Sequence, residues 1–103
     1  MVTYLVQISI DPDIADEWTA WMKGVHIPDV MNTGFFLSSS IYRCVDPAEA
    51  DGRLNFAVVY ECESLEKLEE YRKTAAPELQ ARHTERYAGR FAARRAVLVP
   101  LEQ

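Results

Sequence analysis

The stretch FFLSSSIYRCVDPAEADGRLNFAVVYEC, residues 35–62, decides the fold. Two runs rich in β-branched and aromatic residues, 35–46 and 54–62, flank PAEADGR, in which Pro47, Asp51 and Gly52 are turn formers. The most economical pairing is an antiparallel hairpin with residues 45 and 54 opposite each other. One face then collects Leu37, Ile41, Val45, Leu54, Phe56, Val58 and Tyr60, which reads as packed core. The other collects Phe36, Ser38, Ser40, Tyr42, Cys44, Asn55, Ala57, Val59 and Glu61, smaller and more polar, as at a cavity or a subunit interface. A slip of one residue in either strand would exchange its faces.

Just before the hairpin, GVHIPDVMNTGFF (24–36) reads as a helix that stops, turns at His26, restarts at Pro28 and closes at Gly34. The helix leading into it, DPDIADEWTAWMKGV, has Asp11 as N-cap, Pro12 in its first turn, acidic Asp13, Asp16 and Glu17 near its positive end, and Ile14, Trp18, Trp21, Met22 and Val25 at helical spacing. Residues 2–10 alternate as a first strand. Beyond the hairpin, Ser64 caps LEKLEEYRKTAA, Pro77 opens the continuation PELQARHTERYAG, and Gly89 ends it. Its inward stripe runs through Leu65, Leu68, Tyr71 or Arg72, Ala75, Leu79, His83 or Arg82, and Tyr87 or Arg86, growing more polar towards its C-terminus. FAARRAVLVPL supplies the last strand.

The order strand, helix, strand, strand, helix, strand with short connections predicts an α+β fold. It is the ferredoxin-like βαββαβ arrangement, a four-stranded antiparallel sheet with two proline-broken helices on one face, forming one domain over residues 1–103. Apolar or aromatic residues on both faces of the strands predict a homodimer through the sheet face left bare.

The 103 residues carry a formal net charge of −5, with 49% hydrophobic and 26% charged residues. Such a field repels phosphate backbones and anionic lipid heads, so neither nucleic acid nor a membrane is an expected partner. No apolar run approaches the length of a membrane span, and the N-terminus lacks a basic, cleavable leader, which makes a cytoplasmic location the expectation. Cys44 and Cys62 stand singly, and the hairpin register separates them by ~23 Å, too far for a disulfide.

Two blocks, HIPDVMNTGFF and APELQARHTERYAGRF, closely resemble those of the domain of unknown function DUF4286, whose members share H-I-P-D-V-M-x-T-G-x-F and A-P-x-L-Q-x-x-H-x-x-R-Y-x-G-x-F. The likeness covers almost the whole chain. It implies a fold related to the dimeric α+β barrels and no established activity. That wider group includes metal-free monooxygenases, EthD-like proteins and cyclases, many with a ligand cavity between sheet and helices. Relatives often continue past G-x-F with an aromatic and a threonine, where this chain has AARRAVL.

His26 and His83 are the candidate acid/base residues, since a neutral imidazole both donates and accepts near pH 7. Each is equally suited to holding a helix together. Leu79, His83 and Tyr87 share one helical face, so His83, Tyr71, Tyr87 and Tyr42 could converge with Trp18 or Trp21 on an aromatic cavity with few polar groups, suited to a flat, uncharged small organic molecule. The alternative is a small core satisfying its polar tips. Arg82, Arg86 and Arg90 recur every four residues, which could cradle a carboxylate or phosphate, but they read first as a solvated face supported by pairing of Glu78 with Arg82. Asp29 reads as a structural residue of a first helical turn. No metal-ligand spacing, phosphate loop or serine-nucleophile motif is present, so no metal or cofactor is expected. The readings that remain are a homodimeric small-molecule-binding domain, a cofactor-free cyclase, isomerase or monooxygenase using His83 or His26, and a structural dimerisation module.

Overall fold

The computed structural model describes residues 1–101. Strands β1 (Val2–Ile10), β2 (Phe36–Cys44), β3 (Leu54–Cys62) and β4 (Phe91–Leu98) form one antiparallel sheet in the order β2-β3-β1-β4. Helices α1 (Ala15–Trp21), α2 (Ile27–Met31), α3 (Leu65–Thr74) and α4 (Ala76–Tyr87) complete the expected ferredoxin-like arrangement. None of the helices is long and apolar enough to cross a membrane.

The hairpin register is the one expected over most of its length, with Cys44 opposite Asn55 and Ile41 opposite Val58. A β-bulge between Phe36 and Ser38 breaks it at the far end. The extra residue turns Phe36 inward, leaving it buried, and sends Leu37 out to 60% exposure. The expected roles of these two residues are thus exchanged, because the extra residue shifts the register by one on that side, and a one-residue shift exchanges the faces. Phe36 packs at a tilt against Tyr60 and edge-to-face against Tyr71, at centroid distances of 4.9 and 4.7 Å. Val45, also expected in the core, lies past the strand end and is exposed.

The first helix does not stop at the histidine. Its backbone stays right-handed helical through Trp21, Met22, His26 and Ile27, and the change is a widening to a π turn over Met22–His26. The N–H of Ile27 reaches back five residues to the carbonyl of Met22. Pro28 explains this: it has no N–H for the carbonyl of Gly24, and its ring would press on that carbonyl in a regular α-helix. A π turn accommodates both defects while keeping the chain helical. In the second helix, Ala75 takes φ −101° one residue before Ala76, and Pro77 sits in the first turn of α4.

Asp11 is not the side-chain cap expected of it, and the chain enters α1 through a short 3₁₀ turn, Pro12–Ile14. Its carboxylate instead accepts from Arg53 at 2.9 Å and Arg90 at 2.6 Å, tying the hairpin loop and the end of α4 to the end of β1. Those two guanidinium groups hold the Asp11 carboxyl below the usual aspartate range. Ser64 does cap α3, accepting from the N–H of Lys67 at 3.2 Å.

Tyr4, Val6, Ile8 and Ile10 of β1, Phe56, Val58 and Tyr60 of β3, and Trp18, Met22, Val30, Leu68, Tyr71 and Leu79 of the helices make up most of the buried core. Leu65, placed on the inward stripe from the sequence, is 46% exposed, because it opens the first turn of α3 beyond the sheet edge's reach. Cys62 is buried and Cys44 half-buried, and both are free thiols.

Candidate functional site

Strand β4 creates the space for a site. It pairs only with β1, with Ile8 opposite Ala93 and Val6 opposite Arg95, so Phe91, Ala93, Arg95 and Val97 share the face turned towards the helices. The small Ala93 lines the space on this side, and Met22 and His26 of the π turn line it from the first helix. The result is a cleft of about 50 Å³ in the region a water molecule's centre can reach, inside about 510 Å³ of atom-free space that includes its open mouth. Its floor is Val6, Ile8 and Val58, and its aromatic and polar wall is Tyr4, Tyr60, Tyr71, His26, His83 and Phe91. Gln80, Thr84 and Arg95 stand among the remaining lining residues.

His26 and His83, 57 residues apart in the sequence by their numbers, meet here with ring centroids 5.7 Å apart. The buried indole of Trp18 donates its Nε1–H to Nε2 of His83 at 2.9 Å. Indole is a donor only, so Nε2 must present a lone pair and the proton of the neutral ring sits on Nδ1. Among the described residues no side-chain nitrogen or oxygen is both buried and unpaired, so this Nδ1–H, which has no protein acceptor, reaches open space. Burial, then the neighbouring His26 and Arg95, push the His83 pKa down to about 4. His26 is lowered too, by burial first and by Arg95, against an opposing pull from Asp29. Both imidazoles are therefore neutral at pH 7.

The phenols are displaced in the other direction. Burial and the adjacent Tyr4 push Tyr71 up to about 12, and burial with Tyr71 and Tyr4 raises Tyr60 further. These hydroxyls stay protonated and remain hydrogen-bond donors over the whole physiological range.

Of the aromatic residues expected to line a cavity, only Tyr71 does so. Trp21 stacks on His26 at 5.2 Å, and Tyr87 packs on His83 at 5.3 Å, so with Trp18 they form a layer behind the two imidazoles. Tyr42 is on the opposite face of the sheet, 57% exposed, because its cross-strand partner is Ala57 and not a core residue. The reading of the sequence missed Tyr4, Tyr60, Gln80, Thr84 and Arg95. The alternation Phe91, Ala93, Arg95, Val97 carried a signal for the last, an arginine in an otherwise apolar row.

The arginine ladder on α4 is engaged with acids. Arg82 pairs with Glu78 at 2.8 Å and approaches Asp29 at 3.6 Å, Arg86 reaches Glu17 at 3.1 Å, and Arg90 holds Asp11 and Asp13. Of these, the contacts of Arg82 with Asp29 and of Arg86 with Glu17 join α4 to the first helix. Individually, at such exposure, they contribute ~1 kcal/mol or less. Among the described residues no group of three His, Cys, Asp or Glu side chains is placed to hold a metal ion.

The sequence matches the family described as a domain of unknown function (DUF4286) over residues 1–101. The chain belongs to this family. No curated protein matches the DUF4286 chain significantly. Among solved structures it is similar to HapK from Hahella chejuensis, at 14% identity and a TM-score of 0.72, covering 100% of this chain and 95% of that one. It is also similar to SnoaB, a cofactor-independent oxygenase from Streptomyces nogalater, at 11% identity and a TM-score of 0.65, covering 99% and 94%. A dimeric ferredoxin-like protein from an uncultured marine organism superposes with a TM-score of 0.66 at 8% identity, covering 100% and 97%. At such identities the likeness establishes the shared fold of the DUF4286 domain and no activity.

Proposed function

We propose that this DUF4286 domain is a cytoplasmic homodimer that binds a small planar organic molecule in the cleft between β1, β4 and the helices. The observation that carries this reading is the pairing of His26 with His83 at 5.7 Å in a wall whose other members are mostly aromatic or aliphatic. Few polar groups converging inside an apolar recess is the usual make-up of a ligand site. Self-association is supported by Leu5, Leu37, Tyr42, Val59 and Leu98, which leave apolar surface on the sheet face away from the helices. The dimeric relative of the same fold points the same way. The test is a screen of planar aromatic and heteroaromatic compounds, read from the histidine imidazole resonances of the full chain, with sedimentation giving the subunit number. Compounds that shift His26 and His83 together support the reading, and a library that leaves both unmoved at millimolar concentration refutes it.

A second reading, a cofactor-free enzyme, rests on the different engagement of the two imidazoles. His83 has its lone pair committed to Trp18 and offers Nδ1–H, which suits it to hydrogen-bond a carbonyl oxygen. His26 has no such bond and keeps a free lone pair for a proton on the neighbouring carbon. Removing that proton and returning it elsewhere on the same molecule is an isomerisation that needs no co-reactant. Solvent deuterium entering a bound ketone in the wild type and not in His26→Gln would support it. Equal exchange in both would rule it out.

A further inference from the structure

We infer that the ligand is a monoanion, a planar aromatic carboxylate, and that Arg95 is the residue that holds its charged end. This rests on the proposed small-molecule site and names the class of molecule that the site takes. Arg53, Arg72, Arg82, Arg86 and Arg90 each lie within ion-pair distance of an aspartate or glutamate; Arg43, Arg94 and Arg95 have no such partner among the described residues, and of these three Arg95 alone lines the cleft. Among the described residues Arg95 is also the one lining side chain of the cleft with a fixed charge, and no aspartate or glutamate lines it.

Its position is set by the sheet. The pairing with Val6 directs Arg95 to the helix side of an edge strand, between the small Ala93 and Val97, where an apolar residue would otherwise complete the core. A guanidinium there can extend along the strand to water, as long cationic side chains do at the margin of a core. Solvation alone does not account for its closeness to the site. The charge is near enough to disfavour protonation of both His26 and His83 and to ease ionisation of Tyr71, so it acts on the cleft's interior from its mouth.

A neutral ligand would leave that field unused. A phosphate dianion would meet a single cation flanked by neutral imidazoles and protonated phenols, too little positive charge for its own. A carboxylate matches one planar guanidinium fork, with two parallel N–H···O bonds. The flat ring behind it would lie between Tyr4, Tyr71, His83 and Phe91. Gln80 and Thr84 of α4 also line the cleft and offer uncharged hydrogen-bonding groups to ring substituents.

The test compares acid and amide pairs of the same shape, benzoate with benzamide and 2-naphthoate with 2-naphthamide, titrated into the full-length wild type, Arg95→Met and Arg95→Lys. Calorimetry gives affinity, and the His26 and His83 resonances locate binding. A charge-assisted contact of this kind predicts that the wild type prefers the acid by about tenfold to a hundredfold, that Arg95→Met loses this preference while still binding the amide, and that Arg95→Lys keeps part of it. Equal affinity for acid and amide in the wild type, or an unchanged preference in Arg95→Met, overturns the assignment of Arg95 while leaving the small-molecule site standing. If neither member of either pair binds, the small-molecule reading falls and this inference falls with it. Because Arg95 is exposed on an edge strand, Arg95→Met should retain the wild-type circular dichroism and melting profile, so a lost preference reports on binding.

Discussion

Mild acid should loosen this protein through His83. In the unfolded chain the imidazole takes up a proton near pH 6.5, whereas in the fold burial delays protonation to about 4. Between those values the unfolded state binds more protons, so stability is complete above pH 6.5 and declines as the pH falls towards 4. At pH 5 those two values give a ceiling of about 2 kcal/mol, at 1.36 kcal/mol per tenfold suppression of protonation. Water in the adjoining cleft lowers the realised loss to about 1–1.5 kcal/mol. His26, also lowered, adds in the same direction. Asp11 does not interfere, because its depressed carboxyl gives up its contribution only as the pH drops below its ordinary 3.8. Urea denaturation at pH 7 and pH 5 measures the difference in the wild type and in His83→Gln, whose amide oxygen can still accept from Trp18. The wild type should lose about 1 kcal/mol more than the variant between the two pH values. An identical loss in both proteins, or a His83 resonance that titrates near 6.5 in the folded state, would refute the reasoning.

Three further outcomes are open to measurement. Trp18→Phe removes the donor to Nε2 of His83 and leaves a buried acceptor without a partner, which should cost about 1–3 kcal/mol in denaturation and move the His83 pKa upward by NMR. Phe36→Ala should destabilise by ~3 kcal/mol or more, whereas Leu37→Ala, out on the bulge, should cost less than ~1 kcal/mol, the reverse of what strict alternation along the strand implies. Gly34→Ala should cost about 1–2 kcal/mol from backbone conformation alone, since φ is +84° and an added Cβ would meet no atom within 4 Å.

The layered architecture was readable because period-2 strands, capped helices and a proline-glycine loop all implied the same order, and the hairpin register followed from hydrophobic alternation. What escaped were departures of a single residue. The bulge at Phe36–Ser38 leaves the composition of the strand unchanged, so alternation alone assigned Phe36 and Leu37 to the wrong faces. Pro28 signalled a defect in the first helix, but a broken helix and a π turn answer the same missing N–H, and only tertiary packing chooses between them. Asp11 looked like a cap because the two arginines it binds, Arg53 and Arg90, are 42 and 79 residues away. The two histidines were visible as candidates, whereas Tyr42 fell on the outer face for want of a buried cross-strand neighbour. Arg95 was overlooked because a charge in an edge strand, here beside Arg94, is ordinarily a surface feature.

The wide turn at Met22–His26 also keeps time along its helix. Trp18, Met22, His26 and Val30 follow one another at intervals of four, and in a regular α-helix each such step drifts by about 40°, so the last would point about 120° from the first. The slack in the π turn takes back part of that drift, letting one ridge of side chains stay over the sheet from end to end. Where His26 aims is accordingly encoded in a count of residues as much as in its own identity. Removing Gly24 alone would make the bond from Ile27 to Met22 an ordinary four-residue step, closing the wide turn and erasing the spare residue that absorbs the drift.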